Sequence, residues 1–161
     1  MIVVSDTSPL LALFYLGKLN LLELLFRDIV IPEGVYNELL HSKLSETDKL
    51  LFTLSPFQIV KTENKTEVQR LLAAIQLGEA EAIVLSEQLH ADLLLIDETV
   101  GRNIASQRGI KIVGVLGILI DSKQNNHIVA VKPLMDQLIL EINFRISPNL
   151  YHKILKICNE L

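Results

Sequence analysis

Apolar residues fall along this chain in two rhythms. Short unbroken runs, Ile2-Val3-Val4, Ile29-Val30-Ile31, Leu93-Leu94-Leu95-Ile96 and Ile112-Val113, read as buried strands. The stretches between them carry apolar residues at helical spacing. The first strand is expected over residues 2–5, with Thr7 or Ser8 as N-cap and Pro9 at the first helical position. That helix runs to about Leu16 and stops at Gly17, and a short helix follows over 19–26. A strand at 29–31 then leads through Pro32 into a helix over 33–41, with Val35, Leu39 and Tyr36 inward. Ser45 and Asp48 have the spacing of a capping box for a further helix, which Pro56 ends. A strand at 57–60, helices at 67–77 and 79–90 joined at Gly78, and a strand at 93–96 come next. They are followed by a helix at 99–108 stopped by Gly109, a strand at 111–113, and helices at 115–123 and 132–141. Pro148 opens the last helix.

Strands alternating with helices predict an α/β fold, a mostly parallel sheet covered on both faces. The 161 residues suit one domain, with no evident linker or repeat and a helical extension over about 126–161. Half of the residues are apolar and the mean hydropathy is +0.38, which excludes disorder and suggests a surface hidden in an oligomer. The apolar stretches are too short or too interrupted by charge for a membrane span, and the start does not look like a signal peptide. A single cysteine, Cys158, excludes an internal disulfide framework and points to the cytoplasm. The net charge of −4 runs against the basic footprint of most nucleic-acid binders. Acids concentrated in one cation-binding site would reconcile the two, because a divalent ion reverses the local sign.

Two strands end on a carboxylate: Val4-Ser5-Asp6 and Leu95-Ile96-Asp97. In an open α/β sheet, ligands bind beyond the carboxyl ends of the strands, so Asp6 and Asp97 are candidates for one acidic site. Glu98 follows Asp97 and is read as a cap of the helix containing Arg102. Arg102 and Ser8 are candidates for contacting substrate or for orienting a carboxylate. Glu38 sits at the border of a buried helical face. Glu79 and Glu81 compete as a fourth acid, and the residues around them leave that choice open. Carboxylates without a matching His or Cys cluster favour a hard cation, Mg2+ or Mn2+. Nucleophile elbows, P-loops and dinucleotide fingerprints are missing from the sequence. Aspartyl-phosphate chemistry at Asp6 is disfavoured, because Ser8 stands where a second aspartate is wanted.

The order Asp6, Glu38, Glu79, Asp97 resembles the PIN domain family of Mg2+-dependent ribonucleases, in its small prokaryotic branch related to VapC-type toxins. The resemblance is carried by VSDTSPL at 4–10, IPEGVYNEL at 31–39, LGEAEAI at 77–83, LLLIDETVGRNIA at 93–105 and GIKIVGVLGIL at 109–119. KPLMDQL at 132–138 and NFRISPNLY at 143–151 continue it. It implies a three-layer α/β/α PIN-like fold across 1–161. It also implies Asp6, Glu38, Glu79 and Asp97 as catalytic metal ligands. In that family an aspartate stands about eighteen residues before the last acid, which selects Glu79, with glutamate replacing aspartate. The resemblance further implies Mg2+ or Mn2+, an RNA substrate, a homodimer and often a small antitoxin. The alternative it leaves is a PIN-like binding module of little activity that acts through a protein partner.

Overall fold

The protein is described here by a computed structural model covering residues 1–54 and 57–161. Its first half runs β1 (Val3–Ser5), α1 (Thr7–Tyr15), α2 (Leu21–Phe26), β2 (Ile29–Pro32), α3 (Glu33–Leu40), α4 (Glu46–Leu54) and β3 (Phe57–Val60). The second half runs α5 (Lys65–Leu71), α6 (Leu77–Gln88), β4 (Leu93–Leu95), α7 (Thr99–Gln107), β5 (Ile112–Val113), α8 (Val115–Gln124), α9 (Lys132–Ile142) and α10 (Pro148–Ile157). Pro56, expected to end a helix, lies outside the described residues. Among the described residues no helix is long and apolar enough to cross a membrane.

The described strands form one parallel sheet in the order β3-β2-β1-β4-β5. The chain therefore winds outward from β1 in both directions, and the order reverses between β1 and β4. Side chains alternate along each strand, so neighbouring residues enter opposite cores. Val3, Ile29, Ile31 and Leu95 join the larger core with α1, α2, α8, α9 and α10. Val4, Val30, Leu94 and Ile96 join the smaller core with α5, α6 and α7. This is the expected three-layer α/β/α arrangement. The strands are apolar on consecutive residues because both faces are covered.

Several local expectations shift for physical reasons. Asp6, not Thr7 or Ser8, occupies the N-cap position of α1, in extended conformation and without a side-chain capping bond. The Thr7 hydroxyl is buried and has no partner among the described residues. Ser45 does cap α4, accepting from the Asp48 N–H at 3.1 Å. The expected helix at 67–77 closes at Leu71. Gly78 is no joint: it lies inside α6, one residue from its start.

Candidate active site at the carboxyl edge of the sheet

Because β1 and β4 are neighbours at the point where the strand order reverses, their ends face the usual ligand crevice of such a sheet. The pairing continues past β1, since the Asp6 N–H donates to Leu95 O at 3.0 Å. Asp6 is thereby fixed beside the end of β4, and Asp97 follows two residues after Leu95. Asp6, Ser8, Glu38, Glu79 and Glu98 line a cleft of about 320 Å3, together with Thr7, Leu11 and Gln76. Among the described residues no lysine or arginine lines it. Asp97 stands at the next wall, on a cleft of about 600 Å3 that it shares with Ser8 and Glu98.

Each carboxylate is held by a different element. Glu38, on α3, accepts from the Gly78 N–H at 3.1 Å, near the start of α6. Glu81, on α6, accepts from the Gly34 N–H at 2.7 Å, near the start of α3. The two helices thus exchange carboxylates at each other's N-termini, where free N–H groups and the helix dipole favour a negative charge. Asp97 makes a third such contact: its Oδ1 accepts from Val115 N–H at 3.0 Å, at the start of α8. Glycine makes these approaches possible, since a Cβ at Gly78, Gly34 or Gly114 would overlap Glu38, Glu81 or Asp97 respectively. A Cβ at Gly101 would come within 2.7 Å of Glu79 Oε2.

These contacts leave charge uncompensated. Burial pushes Asp6 up to about 7, eased by the Thr7 N–H and worsened by the charges of Glu79, Glu38 and Asp97. Burial likewise pushes Asp97 up to about 6, against the opposing pull of Val115 N–H and Arg102. Glu79 is raised as well, by burial first and then by Glu98, with the Gln76 N–H opposing and Glu38 adding. The second oxygen of Asp97, Oδ2, is buried with no hydrogen-bond partner among the described residues. Such unsatisfied, desolvated acids are the usual mark of a functional site.

Among the sequence-predicted residues, Asp6, Glu38 and Glu79 meet in one cleft, with Ser8 on its wall. Asp97 couples to Asp6 electrostatically from the adjoining wall. Arg102 is half-buried and donates to Ile96 O at 2.8 Å, so it braces the turn that presents Asp97. Glu81 faces away into its contact with Gly34. Glu98 stands at the N-cap position of α7, as expected, but its side chain makes no capping bond among the described residues; it is an exposed acid on both clefts. Its position one residue past a strand-end aspartate was the available signal. An apolar hollow of about 340 Å3 opens where β2 and β3 begin, lined by Phe14, Ile29, Leu51 and Phe57 among others. Among the described residues it has no convergent polar side chains beyond Asn20 and Glu23.

The donors at the carboxyl edge are all oxygens, and an orphaned buried carboxylate oxygen lies among them. This chemistry fits a hard divalent cation. Among the described residues, no group of three or more His, Cys, Asp or Glu side chains is arranged so as to hold a metal ion. No curated protein matches the chain. The family model DUF3368, a PIN domain, matches residues 2–160. PIN domains are in general nucleases that use divalent metal ions and act on RNA, and the parallel sheet with its layered helices is consistent with their fold. With a match over nearly its whole length, the chain belongs to the PIN domain family.

Proposed function

We propose that the protein is a metal-dependent endoribonuclease whose acids Asp6, Glu38, Glu79 and Asp97 hold Mg2+ or Mn2+ at the carboxyl edge of the sheet. The observation that carries this reading is the uncompensated charge there. Asp6 and Asp97 are raised to about 7 and about 6 with no cationic side chain on the cleft that Asp6 lines. A bound divalent ion supplies a Lewis acid for the phosphodiester and lowers the pKa of a water. The chain's own residues prepare for this. Asp6 presents a buried carboxyl group and Asp97 a partly buried one. Glu38 is oriented by Gly78 N–H, and Glu79 closes the cleft from α6 against the small surface of Gly101. Arg102 keeps the end of β4 in place. Ser8 offers a hydroxyl to a carboxylate or to substrate on both clefts.

The toxin-like branch resembled by the sequence extends the proposal to a toxin of a two-component system. It would be restrained by a small antitoxin and act as a homodimer. Coexpression with the product of a neighbouring small reading frame tests that extension; failure of any such product to bind would refute it.

The central test is cleavage of labelled tRNA, rRNA fragments and single-stranded oligonucleotides by wild type, Asp6→Asn and Asp97→Asn, with Mg2+, Mn2+ or EDTA. Wild type is expected to cleave only with metal. Each variant is expected to lose about a thousand-fold or more, the equivalent of roughly 4 kcal/mol of transition-state stabilisation. Undiminished cleavage by folded Asp97→Asn would remove the site from the mechanism. Loss of all cleavage, wild type included, would favour a binding module acting through a partner.

A further inference from the structure

We infer that the linker between α9 and α10 is a clamp for single-stranded RNA, with Arg145 holding a phosphate and Phe144 offering its ring to a base. This deepens the nuclease reading and rests on it.

The cleft of about 600 Å3 next to the acids is bounded on one side by Ser8, Asp97 and Glu98 and on the other by Phe144 and Arg145. Phe144 and Arg145 also line a second cleft, of about 420 Å3, with Asp97, Arg102 and Lys153. The linker therefore stands between two hollows that both reach Asp97. The acidic cleft carries no basic residue, whereas these neighbours carry Arg145, Arg102 and Lys153. A polyanion needs such a division: cation-holding acids at the scissile phosphate, and cationic side chains at the phosphates beside it.

Arg145 is the cation best suited to that role. Arg70 and Arg108 are occupied by Glu67 and Glu87, and Arg102 by Ile96 O. Arg145 is exposed and makes no hydrogen bond or ion pair among the described residues. Its guanidinium is a planar fork suited to phosphate oxygens.

The linker is also pinned at both ends. Asn143 turns α9 off in the left-handed region, at φ 54°, and Phe144 N–H closes back on Leu138 O at 3.1 Å. At the other end the Ser147 hydroxyl accepts from Leu150 N–H at 3.2 Å, and Pro148 starts α10. Phe144 packs half-buried against the larger core. Arg145 thus hangs from a pre-formed support, which lowers the ordering cost of binding. An aromatic ring on a cleft wall recognises an unpaired base by stacking, and a duplex cannot offer one.

The test uses a labelled short single-stranded RNA and the duplex of the same sequence. Anisotropy is measured in EDTA across a salt series, and KM for cleavage is measured with Mg2+. Arg145→Gln should bind the single strand about tenfold more weakly. It should also lower the dependence of log affinity on log salt by about 0.7, and raise KM more than it lowers kcat. Phe144→Leu keeps the core packing; it should weaken binding about tenfold with the salt dependence unchanged. A merely structural role for Arg145 would not move the salt dependence. Wild-type affinity and salt dependence in Arg145→Gln would overturn the clamp, as would equal or tighter binding of the duplex. Neither of those results touches the nuclease reading, which stands or falls on metal-dependent cleavage lost in Asp97→Asn.

Discussion

The acids at the sheet edge and the acids that brace the C-terminal helices are the same chemical groups in opposite circumstances. Glu160 is resisted by burial, but the N–H groups of Lys132 and Val131, at 2.9 and 2.8 Å, and the ammonium of Lys123 more than offset it. Its carboxyl therefore lies below the usual range. Asp136 is lowered by Lys132 at 2.8 Å and by the Tyr151 hydroxyl. At the sheet edge, Asp6, Asp97 and Glu79 all lie above their usual range. Both groups meet backbone N–H donors, so hydrogen bonding does not separate them. The difference is the balance against burial: at the cleft acids burial comes first and outweighs the N–H donors and, at Asp97, Arg102, whereas at the C-terminal acids a lysine within the chain tips the balance the other way. An acid satisfied internally stabilises the fold, whereas one left unsatisfied stores an affinity for something outside it.

The largest effect expected from this contrast is in stability against pH. Asp6, raised from 3.8 to about 7, holds a proton in the folded state that the unfolded chain has released. Stability must then fall as pH rises from about 4 to 7, by roughly 4 kcal/mol for Asp6 alone. Asp97, raised to about 6, contributes in the same direction, and the two are coupled rather than additive. Glu160 and Asp136 act in reverse. Their contribution is present above the unfolded pKa and is lost as pH drops through their lowered folded values. Metal-free protein should therefore be most stable near pH 4 and lose stability towards neutrality, as measured by urea midpoints in EDTA. Asp6→Asn should flatten the neutral limb and leave the acid limb intact. A midpoint that stays level from pH 5 to 8 in wild type would show that the cleft acids are not crowded as described.

A divalent cation should then do for the cleft what Lys123 and Lys132 do for the C-terminal acids. At pH 8, Mg2+ or Mn2+ at about one hundred times its dissociation constant would add about 2.7 kcal/mol. For a chain of this size that is a rise in Tm of roughly 5–10 °C. Near pH 6, binding must also release protons, because Asp6 is still largely protonated there. Calorimetry in buffers of different ionisation enthalpy reads that release. No thermal shift with either ion, in protein that is otherwise folded, would argue for the binding-module alternative.

What could be read from sequence follows the range of each interaction. An apolar run ending on aspartate is a local signal, so β1 with Asp6 and β4 with Asp97 are legible in the sequence itself. The helical C-terminal segment was visible for the same reason. Glycine normally breaks helices, so sequence alone makes Gly78 a joint; nothing local announces that Glu38, forty residues away, occupies the space its Cβ would take. The exchange of Glu38 and Glu81 between α3 and α6 is invisible for the same reason. Composition misled on charge in another way, because a net −4 averages an acidic cleft with the basic linker beside it. Residues 143–151 stood out only as a family-like ending, since a pinned turn and an unpaired arginine become meaningful once the fold sets them opposite Asp97.

The smallest expected effect, and the sharpest division, lies within one helix. Glu79 and Glu81 are two residues apart on α6, so their side chains leave it in different directions. Glu79 enters the acidic cleft, while Glu81 holds the Gly34 N–H at the start of α3. Glu81→Ala strips a buried N–H of its acceptor and should cost roughly 1–2 kcal/mol in a urea melt. Glu81→Gln keeps an acceptor oxygen and should recover most of that loss. Glu79→Gln removes a charge raised by its surroundings, so metal-free stability above pH 5 should hold or improve while metal-dependent cleavage falls. If cleavage is instead lost in Glu81→Gln and kept in Glu79→Gln, the fourth acid is Glu81. The position eighteen residues before Asp97 would then have no special standing.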